Sequence, residues 1–212
     1  MTTFLLVRHG ESVANHHNIF AGHTDADLSE LGHRQAEKTA EYLVKNYHID
    51  AIYSSDLKRA FKTGLHTAVK VGVPILPDKQ LREIHAGKWE NLKFDTLQTE
   101  FAKDYNVWLT DIGNAVCTDG ESVKELGERI QARLTELAKQ YDGKTVLITT
   151  HATPIRVSQC IWEGKPLSEM KHIPWVSNAS ITVAEYDGNW HLKAVSIDEH
   201  LADIRTLPAA NV

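Results

Sequence analysis

The chain has 212 residues, a formal net charge of -5 and an isoelectric point near 6.2. With 42% hydrophobic and 24% charged residues it has the balance of an ordinary globular core, and nothing global favours nucleic acid or an anionic membrane. If the ligand is an anion, the positive charge that binds it must be local.

The N-terminus offers only Phe4-Leu5-Leu6-Val7 before Arg8, with no basic leader and no long apolar stretch, so no signal peptide is expected. No segment approaches the roughly 18 apolar residues of a membrane helix. Cys117 and Cys160 are too few and too far apart for a disulfide scaffold. The cytoplasm is the expected compartment.

The run at 4–7 predicts a strand buried on both faces. Residues 30–47 carry a helical stripe of Ala36, Ala40, Leu43, Val44 and Tyr47. Ala51-Ile52-Tyr53 predicts a second strand. A second helical stripe runs from Leu57 to Val69, stopped by Gly72 and Pro74. Pro74-Ile75-Leu76-Pro77 fits only a short or edge strand. Over 92–118 a helical pattern is visible at Leu97, Phe101, Tyr105 and Trp108, but its phase drifts. This segment is expected to cap a pocket. Ser122-Val123-Lys124-Glu125 reads as a capping box opening a helix through Tyr141. Val146-Leu147-Ile148 predicts a third buried strand, with a helix from about Pro154 to Trp162. Runs at 180–186 and 190–197 flank Asp187-Gly188-Asn189, a hairpin signal.

This order predicts an α/β fold. Its central sheet is mostly parallel, flanked by helices on both faces, with an antiparallel edge strand or C-terminal hairpin. One domain over 1–212 is expected, with 199–212 as a weakly structured tail.

In open α/β sheets, ligands bind beyond the carboxyl ends of the strands. Here three apolar runs end in reactive residues: Arg8-His9-Gly10-Glu11, then Ser54-Ser55-Asp56 leading to Arg59, then Thr149-Thr150-His151. Parallel neighbours would bring two arginines and two histidines to one edge. Forked guanidinium donors match phosphoryl oxygens. One histidine ring nitrogen can act as nucleophile while another histidine donates to developing charge.

These residues resemble the histidine phosphatase superfamily, the phosphoglycerate mutase-like family. Arg8-His9-Gly10-Glu11 matches its signature, and Asn15 lies at its next phosphate-binding position. Asp27-Leu28-Ser29 with Gly32 follows, then Ser54 to Ala60 with Thr63, and Leu81-Arg82-Glu83 with Gly87 and Trp89-Glu90. Gly120-Glu121-Ser122 and Thr150-His151 complete the order. The resemblance implies a phosphatase of small phosphorylated metabolites, a metal-independent phosphoric monoester hydrolase of the histidine acid phosphatase type. It implies His9 as the residue that becomes phosphohistidine, and Glu83 as the acid that protonates the leaving oxygen. It implies Arg8, Arg59 and His151 around the phosphoryl oxygens, assisted by Asn15 and the Ala152 backbone. No metal and no cofactor are expected, because arginines supply the positive charge. The expected partner is a small phosphorylated metabolite, with neither nucleic acid nor membrane. Attack requires an unprotonated ring nitrogen, so the other nitrogen of His9 is expected to donate to an acceptor such as a carbonyl beside Gly10.

Three positions depart from the family pattern. Ala152 follows the second histidine where glycine is usual, Ala21 replaces a residue often polar, and Asn91 stands where many such phosphatases have glycine. The alternatives are a cofactor-dependent phosphoglycerate mutase and a catalytically silent phosphate-binding protein. Mutases resemble this chain less, because Ile84-His85-Ala86-Gly87 replaces their Arg-His-Tyr-Gly. Between Trp89 and Gly120 the only cations are Lys93 and Lys103. His16 and His17 are adjacent and point apart if extended, and no His-Glu-x-x-His occurs, so the spacing reveals no metal cluster.

Overall fold

The structure is a computed structural model that describes residues 1–206. In chain order the elements are β1 (Thr2–Arg8), α1 (Val13–His16), β2 (Ile19–Phe20), α2 (Glu30–Asn46), β3 (Ala51–Ser54), α3 (Lys58–Val71) and β4 (Ile75–Pro77). Then come β5 (Leu92–Lys93), α4 (Phe94–Glu100), α5 (Ala102–Thr110), α6 (Val123–Gln140), β6 (Thr145–Thr150) and α7 (Ala152–Trp162), with β7 (Ile181–Tyr186) and β8 (Trp190–Ile197).

The central sheet runs β4-β3-β6-β1-β7-β8. Strands β4, β3, β6 and β1 are parallel, while β7 and β8 form the expected antiparallel edge. Successive side chains of β1 explain why its sequence is apolar without alternation. Phe4 and Leu6 pack with α6 and α7, whereas Leu5 and Val7 pack with Leu43 of α2 and Ala68 of α3. Each such side chain, fully buried, contributes roughly 1.5–3 kcal/mol of hydrophobic stabilisation. β4, which follows Pro74 and ends on Pro77, lies at the sheet edge, where a missing donor costs least.

The capping box of α6 forms as read: Ser122 Oγ accepts from the Glu125 N–H, and Glu125 Oε2 accepts from the Ser122 N–H. The drifting phase over 92–118 has a cause. Two short helices, α4 and α5, meet at Phe101, whose backbone (φ -123°, ψ 29°) breaks the turn and resets the stripe. The small sheet formed by β2 and β5 is not legible in sequence, since two-residue strands carry no periodicity. Helix α7 begins at Ala152, two residues before the predicted start.

Residues 199–206 pack instead of forming a loose tail: Leu201 is buried, and Gln35 Nε2 donates to the Ile204 carbonyl and to Thr206 Oγ1. The rest of the expected tail, 207–212, lies outside the described residues. Among the described residues no helix is long and apolar enough to cross a membrane.

Candidate active site

The register sets the site. Arg8 pairs with Thr150 across β1 and β6, and Ser54 pairs with Thr149 across β3 and β6. Three parallel strands therefore end level, and the residues that follow them meet beyond one sheet edge. A cleft there is lined by Arg8, His9, Asn15, Arg59, Glu83 and Ala152, among others. His151 sits immediately behind this lining, fully buried, with its ring centroid 5.1 Å from that of His9.

The loop after β1 needs glycine. A Cβ on Gly10 would stand 2.4 Å from the Gly32 carbonyl oxygen, and one on Gly32 would stand 2.0 Å from the Glu11 carbonyl oxygen. These two motif glycines let the His9 loop touch the start of α2 backbone to backbone. Gly10 N–H donates to Thr63 Oγ1 at 3.0 Å, which ties the loop to α3.

His9 Nδ1 lies 2.7 Å from the Gly10 carbonyl oxygen. A carbonyl can only accept, so Nδ1 carries the hydrogen and Nε2 keeps its lone pair. Burial, then the charges of Arg59 and Arg8, push the His9 pKa well below its ordinary value. The ring is therefore neutral at physiological pH. His151 is depressed in the same way, by burial first and Arg59 second. Its Nε2 meets Ser55 Oγ at 2.8 Å, while Nδ1 is buried without a hydrogen bond among the described residues.

Arg59 Nη1 and Nη2 donate to the Thr24 and Gly22 carbonyls at 2.9 and 2.8 Å. Arg8 Nη1 donates to the Val176 carbonyl at 2.6 Å, and its buried Nε has no partner among the described residues. Burial lowers both guanidiniums to about 10, and the nearby Glu83 carboxylate opposes that fall. Both stay cationic at neutral pH. Asn15 spends its Oδ1 on the N–H and hydroxyl of Ser12, so its amide hydrogens are the part available to an anion.

Glu83 Oε1 accepts from the Ile84 N–H at 2.9 Å, and Oε2 accepts from the Thr153 N–H at 3.3 Å, in the first turn of α7. Burial raises its pKa above the ordinary carboxylate value, and the hydrogen bonds from Ile84 and Thr153 and the charge of Arg59 only partly offset this. The cleft thus holds two cations, a neutral imidazole with a free lone pair and a carboxyl biased toward its protonated form. Such a set can bind a phosphoryl group, accept it and protonate what leaves. The cavity volume is about 50 Å³, room for a few waters at ~10–15 Å³ each or one phosphoryl group.

The three departures cost little. Ala152 lies in the helix, not at positive φ, so its Cβ causes no strain. Asn91 adopts φ 63°, a left-handed conformation that asparagine tolerates. Ala21 lines the cleft and brings no polar atom beyond its backbone. From the segment expected to cap the pocket, Phe94 and Trp108 line it, joined by Trp175.

Several supporting residues were not visible in the sequence. Arg129 grips both Glu121 oxygens at 2.9 Å and donates to the carbonyls of Gln80, Arg82 and Glu83. Asn178 Nδ2 donates to the His9 carbonyl at 3.1 Å. His23 Nε2 donates to the Glu83 carbonyl at 2.9 Å. The fold also brings His23, His85 and Glu90 together, with one ligand-capable atom from each within 4.8 Å of the others.

The sequence profile of the histidine phosphatase superfamily (branch 1) matches residues 4–198. Phosphoserine phosphatase 1 of Hydrogenobacter thermophilus is 31% identical over 169 residues, covering 80% of each chain. A metal-independent phosphoserine phosphatase of Arabidopsis thaliana is 31% identical over 212 residues, covering 96% of this chain and 85% of its own. The solved structure of Bacillus stearothermophilus YhfR superposes with a TM-score of 0.90 at 26% identity, covering 95% of this chain and all of that one.

Proposed function

The chain belongs to the histidine phosphatase superfamily, and from that premise we propose that it is a phosphomonoesterase whose phosphoryl acceptor is His9. The observation that carries this reading is the bond from His9 Nδ1 to the Gly10 carbonyl, beside two buried guanidiniums. It leaves Nε2 unprotonated where an anion would be held.

In the first step Nε2 attacks phosphorus and the bond to the leaving oxygen breaks. Arg8, Arg59, Asn15 and the Ala152 backbone N–H hold the phosphoryl oxygens, and His151 donates from behind them through Nδ1, which has no partner among the described residues. Glu83 gives its proton to the leaving alcohol, because an alkoxide is a poor leaving group. In the second step water attacks the phosphohistidine, Glu83 takes the water proton and inorganic phosphate departs. The substrate is a small phosphorylated metabolite. Two relatives named phosphoserine phosphatase make phosphoserine one candidate. Two free, buried cysteines fit a reducing compartment, the cytoplasm.

A mutase must grip a second anionic group, yet among the described residues the only cationic side chains lining the cleft are Arg8 and Arg59. The test is product analysis in EDTA. Given 3-phosphoglycerate with 2,3-bisphosphoglycerate, the protein should release inorganic phosphate faster than it forms 2-phosphoglycerate, and chelation should leave the rate unchanged. Fast isomerisation with little phosphate release would reverse the assignment. Loss of turnover on chelation, restored by magnesium, would remove the metal-independent mechanism.

Arg129 is a positioning residue in this scheme, acting through the Glu83 backbone. Arg129→Met should lower kcat for an alkyl phosphate about tenfold to hundredfold. The loss should be smaller for p-nitrophenyl phosphate, whose phenolate needs little proton donation. Equal losses would assign Arg129 to general stability only.

A further inference from the structure

His23 and His85 stand ring to ring, with centroids 5.1 Å apart and planes at 62°. Glu90 reaches both. Its Oε1 accepts from the His23 N–H at 3.0 Å and lies 3.8 Å from His85 Nε2. The cluster already has the surroundings of a ligand set. His23 Nε2 donates to the Glu83 carbonyl, so Nδ1 is the nitrogen left with a lone pair. A backbone carbonyl behind a histidine is a common outer partner that fixes a ligating tautomer. Glu90 is steadied by the Ala86 N–H and the Thr24 hydroxyl. Arg82, a cation that would oppose metal binding nearby, is neutralised by a two-pronged pair with Asp56. The His85 side chain is half exposed and gives an ion a way in.

We propose that His23, His85 and Glu90 form a binding site for a zinc-class divalent transition metal, and that filling it slows the reaction at the neighbouring cleft. Two imidazoles and one carboxylate suit zinc and its neighbours better than magnesium or calcium, which favour all-oxygen sites. A fourth position stays open to water. Zinc–ligand bonds of ~2.0–2.2 Å hold tetrahedral ligands about 3.3–3.6 Å apart, and Glu90 Oε1 lies 3.8 Å from His85 Nε2. Binding therefore tightens that pair, and Glu90 Oε1 carries the pull to the His23 backbone N–H from which it accepts. The His85 side chain is half exposed, whereas His23 is flanked by Gly22 and Thr24, whose carbonyls hold Arg59. It also pulls on the Glu83 carbonyl. A displacement of about 1 Å at positioning groups can cost ~10²-fold in rate. The inhibitory part rests on the phosphatase reading above; the metal site itself does not.

The experiment uses the full chain, stripped of metal with EDTA and desalted. Cobalt(II) chloride titration, followed by visible absorption, should give one site per chain with a four- or five-coordinate spectrum. Zinc chloride should displace the cobalt. With p-nitrophenyl phosphate, zinc should lower the rate about tenfold or more, and EDTA should restore it. His85→Ala, outside the cleft lining, should keep the metal-free rate. It should lose the cobalt spectrum and need about a hundredfold more zinc for the same inhibition. Absence of a stoichiometric cobalt signal overturns the site. Equal zinc sensitivity in His85→Ala also overturns it and moves the metal to His9 and His151. Saturation without a change in rate overturns the inhibitory role. If no phosphate ester is turned over at all, the phosphatase reading fails, and the cobalt spectra of wild type and variant still decide the site.

Discussion

Replacing His9 by alanine should abolish turnover, with a loss of at least about 10⁴-fold, and should abolish covalent labelling by a radioactive phosphate ester. The other imidazole near the cleft cannot substitute. His151 lies outside the lining, with Nε2 engaged by Ser55, and it caps a helix whose start fixes its position. The variant should still fold, because His9 contributes its backbone to the sheet edge: its N–H donates to Thr150 and its carbonyl accepts from Ala179. Those bonds survive the loss of the ring. Circular dichroism and thermal unfolding should therefore match wild type. Acid-quenched label appearing at an undiminished level in the variant would remove His9 from the mechanism.

Glu83→Gln should cost roughly 10²–10⁴ in rate for an alkyl phosphate, because the amide keeps the shape but supplies no proton. With p-nitrophenyl phosphate the loss should shrink, and label should still accumulate on His9. The pH profile gives a second reading. The nucleophile must be unprotonated, and burial with two arginines holds His9 well below its ordinary value, so the acid limb lies below pH 6.5. The acid must be protonated, and burial raises Glu83, so activity falls as pH climbs through that raised value, above 4.5. The alkaline limb should vanish in Glu83→Gln, while the acid limb should stay. An unchanged alkaline limb, or equal losses for both esters, would transfer the role elsewhere. The neighbouring carboxylates are poor replacements. Glu11 Oε1 accepts from the Ser29 hydroxyl, and neither Glu11 nor Glu90 is among the described residues that line the cleft.

The parallel sheet and the meeting of Arg8, His9, Arg59 and His151 could be read in advance for a physical reason. Strands buried on both faces are unbroken apolar runs, and in such a sheet whatever follows each run arrives at the same edge. Glu83 was legible only through family resemblance, because it follows no buried strand of its own and reaches the cleft from a loop. What remained hidden acts through backbone carbonyls. Arg129 and Asn178 hold Glu83 and His9 by their main chains, and every residue has a carbonyl, so no residue type announces the acceptor. The break at Phe101 was hidden for a related reason. It is a change of backbone angle at an ordinary residue, with neither glycine nor proline to mark it. The His23, His85 and Glu90 cluster joins distant loops, and spacing rules see only ligands that share one element.

The relay behind His9 bears on the order in which this polypeptide is made. Asn178 bridges the His9 carbonyl to Thr206, whose hydroxyl donates to Asn178 Oδ1, and Gln35 links that same threonine to the Glu11 N–H. The His9 loop is synthesised nearly two hundred residues before its last brace, Thr206. A nascent chain on the ribosome thus carries the Arg8-His9 pair for most of its elongation time without the contacts that seat it. The carbonyl of Val176 that holds Arg8 and the Asn178 amide that braces the His9 carbonyl arrive only when the 176–206 stretch emerges and docks.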